Sequence, residues 1–233
     1  MIGALSFLTV LGAARTPDER TFRWFPVVGA LIGGLLGAVW WGLSEITSPG
    51  VAAAVVIAVD LALTGLLHVD GLADSADGLL PHLDRERRLE VMRAPDVGAF
   101  ALAVVPAVLL LRWTALASQP VEPLVLVGVW SMSRTIAAVV PAAVPYARAD
   151  GLAAPFLAGA HPRVALGLVP ATAVLVVVDP LIGSLAAIGA VATALAVVAL
   201  ARRRLGGFTG DVLGAVIVLV ETVGLLVFAL ELS

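Results

Sequence analysis

The feature that most limits what this chain can fold into is the recurrence of apolar runs of about 20 residues, the length a helix needs to cross roughly 30 Å of hydrocarbon. Seven such stretches are read, at 26–46, 51–69, 99–117, 121–145, 164–178, 181–200 and 212–231, the fifth being the shortest. Lipid offers no partner to a backbone N–H or C=O, so a spanning chain is either helical or a closed barrel. Barrel strands alternate apolar and polar residues, and these runs do not. Composition agrees: 61% of the 233 residues are hydrophobic and 13% charged, against about 45–50% and 25% in soluble domains. The expected fold is therefore all-α, a polytopic integral membrane helical bundle of about seven transmembrane helices, forming one domain over residues 1–233. The opening MIGALSFLTVLGAARTPDER has no basic residue ahead of its apolar stretch and is followed at once by another hydrophobic segment. It reads as a short interfacial helix rather than a cleaved leader.

The charges give an orientation. All 14 basic residues are Arg, and there is no Cys. The missing Cys excludes disulfides, thiolate metal sites and cysteine nucleophiles, so any chemistry falls to carboxylates, hydroxyls, His or Arg. A net charge of -3, thinly spread, gives no reason to expect a nucleic-acid partner. Arg15, Arg20 and Arg23 precede the first stretch; Arg85, Arg87, Arg88 and Arg93 follow the second; Arg148 and Arg163 follow the fourth; Arg202, Arg203 and Arg204 precede the last. The connections 47–50, 118–120 and 179–180 contain none. Basic residues concentrate in cytoplasmic loops. The N-terminus and the three Arg-bearing loops are thus expected on the cytoplasmic side of the inner (cytoplasmic) membrane, which makes the chain a multi-pass protein whose bilayer is one of its partners. Only Arg112 and Arg134 fall inside spans.

Most of the unusual polar residues lie in those same loops. In HVDGLADSADG, residues 68–78, Asp70, Asp74 and Asp77 stand at i, i+4 and i+7, which share one helix face at about 100° per residue. Like charges so placed repel, and a stripe of three asks for a cation. Mg²⁺ suits it, because that ion takes oxygen ligands and bridges one or two carboxylates to substrate phosphates. Gly71, Ala73, Ser75, Ala76 and Gly78 leave room beside the carboxylates. A solvated acidic helix end is the alternative.

Asp60 lies ten residues before Asp70, which is about 15 Å deeper on one continuous helix. It belongs either to the site or to an ion pair with Arg112 or Arg134, as intramembrane acids demand one or the other. Glu221 is equally deep in the last stretch, and a pair with Arg134, beside Ser133, or a substrate contact accounts for it. In LGGFTGDVLGA, Thr209 or Asp211 can cap the last helix, or the Gly-flanked pair forms part of a site. His68 points about 160° from Asp70 and reads as a satisfied interfacial histidine, while His82 and His161 have no supporting constellation. Gly29, Gly33 and Gly37 make a small-residue face on which another helix can rest closely.

Taken with LSFLT near the start, FPVVGALIG, RERRLEVMR followed by VG, the Ser133–Arg134 pair and YARADG, these motifs resemble the cobalamin synthase family, adenosylcobinamide-GDP ribazoletransferase, from end to end. LGGFTGDVLGAVIVLVE belongs to the match as well, and HVDGLADSADG together with FTGDVLGA is its specific part. The resemblance implies a membrane enzyme in which a hydroxyl of α-ribazole, or of its 5'-phosphate, displaces GMP from adenosylcobinamide-GDP, with Mg²⁺ required. It implies catalytic roles for Asp70, Asp74, Asp77 and Asp211, the first three holding the metal, and substrate contacts from Glu90, Arg93, Arg134, Tyr146, Arg148 and Thr209. Where many members read D-S-R-x-G, this chain has Ala94, Pro95, Asp96, Val97 and Gly98, leaving Glu90, Arg93 and Gly98 as matching positions. Homo-oligomerisation is left open. A CDP-alcohol phosphotransferase is the nearest rival, but Asp74 stands where its motif requires Arg. A cation-coupled transporter would also carry intramembrane Asp60, Arg134 and Glu221, yet no inverted repeat is apparent.

Overall fold

In the computed structural model, residues 1–12, 18, 20–148 and 159–230 are described. Arg15 of the arginine count and Ala149, Asp150 and Gly151 of YARADG lie outside them. The helices are α1 (Ile2–Leu8), α2 (Phe25–Ser44), α3 (Pro49–Leu63), α4 (Leu67–Leu79), α5 (Arg85–Val91), α6 (Ala99–Ser118), α7 (Pro123–Ala143), α8 (Leu168–Val178), α9 (Pro180–Leu205) and α10 (Gly210–Phe228). Short 3₁₀ turns at Phe22–Trp24 and Pro162–Gly167 lead into α2 and α8. Proline opens α3, α7 and α9, where its missing N–H costs no hydrogen bond. Among the described residues there is no strand, only an isolated bridge between Tyr146 and Phe208.

The chain is an all-α, multi-pass membrane bundle, as expected, but the count of seven spans needs correction. Among the described residues five helices are long and apolar enough to cross a membrane, beginning at Phe22, Ala99, Pro123, Pro180 and Gly210, and α3 with α4 would make a sixth. The stretch 51–69 is not one helix. Gly65 and Leu66 both adopt positive φ, 59° and 62°, a left-handed stop that glycine tolerates and Leu does not favour, and α4 leaves α3 at 89°. The placement of Asp60 some 15 Å below Asp70 on a continuous helix fails for the same reason. The fifth stretch forms a shorter apolar helix, Pro162–Val178, which starts as a 3₁₀ turn and stops where Asp179 turns to cap α9 through the Leu181 and Ile182 N–H groups.

At the centre lies α7, with residues from Val125 to Val140 buried on nearly all sides. The glycine face of α2 rests on it: a Cβ on Gly29 would strike the Trp130 carbonyl, and one on Gly33 the Leu126 carbonyl. Close backbone approach of this kind replaces the hydrophobic drive that lipid does not supply. The helix α10 threads between α4, α7, α9 and α6.

The helix ends sort into two groups. At one, the Trp113 indole donates to the Gly50 carbonyl at 2.8 Å and Gln119 lies beside the end of α10. At the other, the segment 145–148, the start of α10, α5 and the start of α6 meet. Across this second end lies α4, turned 89° from α3, and Arg85, Arg88, Arg148 and the arginine-bearing end of α9 meet there.

Candidate active site

Two glycines place α4 against the start of α10. A Cβ on Gly71 would lie 2.8 Å from the Asp211 carbonyl oxygen, and one on Gly214 would lie 3.1 Å from the His68 carbonyl oxygen. With hydrogens at both positions the backbones touch, and Asp70 and Asp74 of α4 come to face Asp211 of α10. Which residue caps α10 is also decided. Thr209, fully buried, accepts from the Val212 N–H at 3.3 Å, and its hydroxyl donates to Asp211 Oδ2 at 3.2 Å. Asp211 is thereby free of the capping role.

Arg148 meets Asp211 across the site, its Nη2 donating to Oδ2 at 2.8 Å and to the Met92 carbonyl at 3.3 Å. The backbone before Arg148 is pinned to the α9–α10 connection: Ala147 N–H donates to Phe208 O at 2.8 Å, and Phe208 N–H to Pro145 O at 3.0 Å. Tyr146 meets the Phe208 ring edge-on at 5.3 Å. Arg85 holds the same corner, donating to Leu205 O at 2.7 Å and Ala147 O at 3.0 Å.

Asp70 is exposed and Asp74 half-buried. Burial first, then the neighbouring Asp211 and Asp70, push the Asp74 carboxyl up to about 7, against the pull of Arg148. Desolvation disfavours the charged form and the neighbouring carboxylates add to it, which together outweigh the pull of the guanidinium.

Asp77 does something else. It is buried, and its two oxygens accept the Gly98 N–H at 2.7 Å and the Ala101 N–H at 3.1 Å, so it caps α6 from another helix and sits at the positive end of that helix dipole. A Cβ on Gly98 would fall 2.5 Å from Asp77 Oδ1, which accounts for the glycine there. The three-aspartate stripe is therefore split: Asp70 and Asp74 face Asp211, while Asp77 is spent on α6. Among the described residues no three His, Asp or Glu side chains converge to enclose a metal ion. The donor set is nonetheless all oxygen and crowded, which fits a Mg²⁺ that takes one or two carboxylates and completes its shell with water and substrate oxygens.

The remaining residues divide between rim and interior. Glu90 and Arg93 are exposed on the α5 side, and Glu90 pairs with Arg87 at 2.9 Å. Arg88 is buried and caps the end of α4, donating to Gly78 O at 2.7 Å and Leu79 O at 3.1 Å. Arg134 does not reach the site: fully buried, it pairs with Glu221. That pairing settles the choice the sequence left open for Glu221, and Asp60 pairs with Arg112 at 3.3 Å. His68 is buried and its Nε2 has no hydrogen-bond partner, unlike the satisfied histidine expected; His161 accepts from the Arg163 N–H. Sequence reasoning missed the backbone-capping roles of Arg85 and Arg88. It missed Gly71 and Gly214 as the crossing point as well, though a glycine one residue after Asp70 and another three after Asp211 were there to be read.

A family model described as Cobalamin-5-phosphate synthase matches residues 1–229. A relative from Stutzerimonas stutzeri, an adenosylcobinamide-GDP ribazoletransferase, is 40% identical over 247 residues, covering 99% of this chain and 97% of its own. Relatives of the same name from Chlorobium phaeovibrioides and Bradyrhizobium diazoefficiens are 37% identical over 228 residues, covering 93% and 91%, and 38% identical over 226 residues, covering 91% and 86%. No solved structure matches the chain.

Proposed function

Since the chain belongs to the cobalamin-5-phosphate synthase family, we propose that it is an adenosylcobinamide-GDP ribazoletransferase. In that reaction a hydroxyl of α-ribazole, or of its 5'-phosphate, attacks the cobinamide-side phosphorus of adenosylcobinamide-GDP. The P–O bond to GMP breaks, GMP leaves with the bonding pair, the attacking hydroxyl gives up its proton to solvent, and the product is adenosylcobalamin or its 5'-phosphate. The single observation that carries the site is the crossing of α4 and α10 at Gly71 and Gly214, which sets Asp70 and Asp74 opposite Asp211 with Arg148 at 2.8 Å from the last.

Displacement at a pyrophosphate asks mainly for positioning and for charge neutralisation. Carboxylates from among Asp70, Asp74 and Asp211 would hold Mg²⁺, which would supply positive charge to offset that developing on the transferred phosphoryl group. Arg148 presents a planar guanidinium suited to phosphate oxygens. Asp77 fixes α4 to α6 and so keeps Asp70 and Asp74 aimed across the crossing. The site opens at the end of the bundle that carries the Arg-bearing connections, which supports a cytoplasmic-facing active site in the inner membrane.

The test is purified protein in nanodiscs given adenosylcobinamide-GDP and α-ribazole. Equal yields of GMP and the corrinoid product, dependent on both substrates and abolished by a chelator, are expected. Failure to release GMP, or turnover unaffected by chelation, would contradict the reading.

A further inference from the structure

The structure places a single guanidinium among three carboxylates. Among the described residues no other salt bridge reaches Asp70, Asp74 or Asp211, and the field of Arg148 extends to Asp74 as well. We infer that Arg148 is a movable counter-ion: it holds Asp211 while the site is empty of ligand and passes to the pyrophosphate when metal and substrate enter. The inference rests on the ribazoletransferase reading and specifies how that site handles its charge.

Three observations carry it. First, Arg148 is poorly satisfied where it stands. Among the described residues its Nη2 donates to Asp211 at 2.8 Å and, in a long bond, to Met92 O at 3.3 Å, and the Tyr146 hydroxyl interacts with the same guanidinium, while Nε is buried with no acceptor. A guanidinium has five donors; leaving this position gives up one charge-assisted bond, a long carbonyl bond and the Tyr146 contact, and it frees Nε, which has no acceptor here, to join Nη2 in a bidentate grip on a phosphate. Second, its pivot is fixed. The Ala147 N–H is bonded to Phe208 O and the Ala147 carbonyl to Arg85, so transfer requires side-chain rotation rather than backbone movement. Third, the charge demands it. A divalent cation at Asp211 repels a guanidinium bonded to the same carboxylate, and the pyrophosphate that accompanies the cation offers that guanidinium a new anionic partner.

A permanent clamp tying α10 to the Met92 carbonyl is the competing account, and the two differ in sign. Binding of Mn²⁺ to substrate-free protein in nanodiscs, followed by the EPR signal of the free ion, is the first measurement; binding of inorganic pyrophosphate in the presence of Mg²⁺ is the second. With Arg148→Gln, Mn²⁺ should bind about three- to five-fold more tightly, the range of a partly exposed ion pair released, and pyrophosphate about tenfold or more weakly, as loss of a charge-assisted contact implies. With Arg148→Lys, which keeps the charge but not the fork, Mn²⁺ affinity should stay within about twofold of the original while pyrophosphate still weakens. Unchanged or weaker Mn²⁺ binding in Arg148→Gln, unchanged pyrophosphate binding, or loss of folding in both variants would overturn the proposal. GMP release by the unsubstituted protein is independent of all these outcomes, so failure here and failure of the ribazoletransferase reading remain distinguishable.

Discussion

Arg112 Nη2 stands 2.6 Å from Glu221 Oε2 inside the bundle, and the same nitrogen lies 3.3 Å from Asp60 Oδ2. One guanidinium thus joins acids from α3 and α10. The second Glu221 oxygen is taken by Arg134 and by the Ser133 hydroxyl at 3.0 Å, and the Trp130 indole donates to Asp60 at 3.1 Å. The four charges cancel within the protein interior.

Breaking that balance should be expensive. Arg112→Met leaves two acids without their shared partner, a loss of about 3–5 kcal/mol for a buried network. At about 2–4 °C per kcal/mol in a chain of this size, the unfolding midpoint in detergent should fall by roughly 10 °C. A midpoint within about 2 °C of the original would show that the network contributes little.

Asp77 and Asp74 are neighbours on α4 with opposite expectations. Asp77→Ala removes the cap on α6, an effect of about 0.5–2 kcal/mol, and should lower the unfolding midpoint by a few degrees. Asp74→Asn relieves carboxylate crowding, so the metal-free protein should be as stable as the original or more so while losing turnover. Thermal unfolding of both variants in chelator, read beside GMP release, checks the pair; a destabilised Asp74→Asn would count against the crowding.

Burial of Asp74, with the crowding added to it, sets a pH dependence. In metal-free protein the Asp74 carboxyl is pushed up to about 7 from its ordinary 3.8. Between those values the folded state holds a proton that the unfolded chain has released, so stability should fall as pH rises through this interval and level off above it. Mg²⁺ takes the ionised form, so its affinity should rise over the same interval. Unfolding midpoints at pH 5 and pH 8, with chelator and with Mg²⁺, test both signs, and Asp74→Asn should flatten the slope.

The helical register of HVDGLADSADG was legible because three aspartates at i, i+4 and i+7 leave little else to read. The Arg134–Glu221 pair was legible because few charges fall inside apolar runs. What became of Asp77 was not, since its partners Gly98 and Ala101 lie 21 and 24 residues away and no local pattern announces a cap supplied by another helix. The turn at Gly65 and Leu66 was hidden for a different reason. It sits within an apolar run, where hydropathy continues smoothly through a backbone that bends 89°. Roles of the arginines outside the spans were mixed for a third reason: their positions mark them all as loop charges, but only the fold shows that Arg85 and Arg88 are spent on backbone carbonyls.

Orientation is open to labelling, since the chain has no cysteine of its own. Single cysteines at Arg87 and Arg203, exposed at the end that holds the candidate site, should be protected from an impermeant thiol reagent in intact cells. A cysteine at exposed Ser48, at the opposite end, should react. The reverse pattern would turn the site outward.

The central claim is that the carboxylates facing each other across the α4–α10 crossing carry the chemistry. Its most direct measurement is the Mg²⁺ dependence of GMP release by Asp211→Asn, which keeps the shape and removes the charge. Because Thr209 rather than Asp211 caps α10, the variant should fold as the original does, lose activity on the order of 100-fold or more as when a positioned charged group is removed, and need more Mg²⁺ for what remains. An Asp211→Asn protein with the original kcat and an unchanged Mg²⁺ requirement would contradict the account.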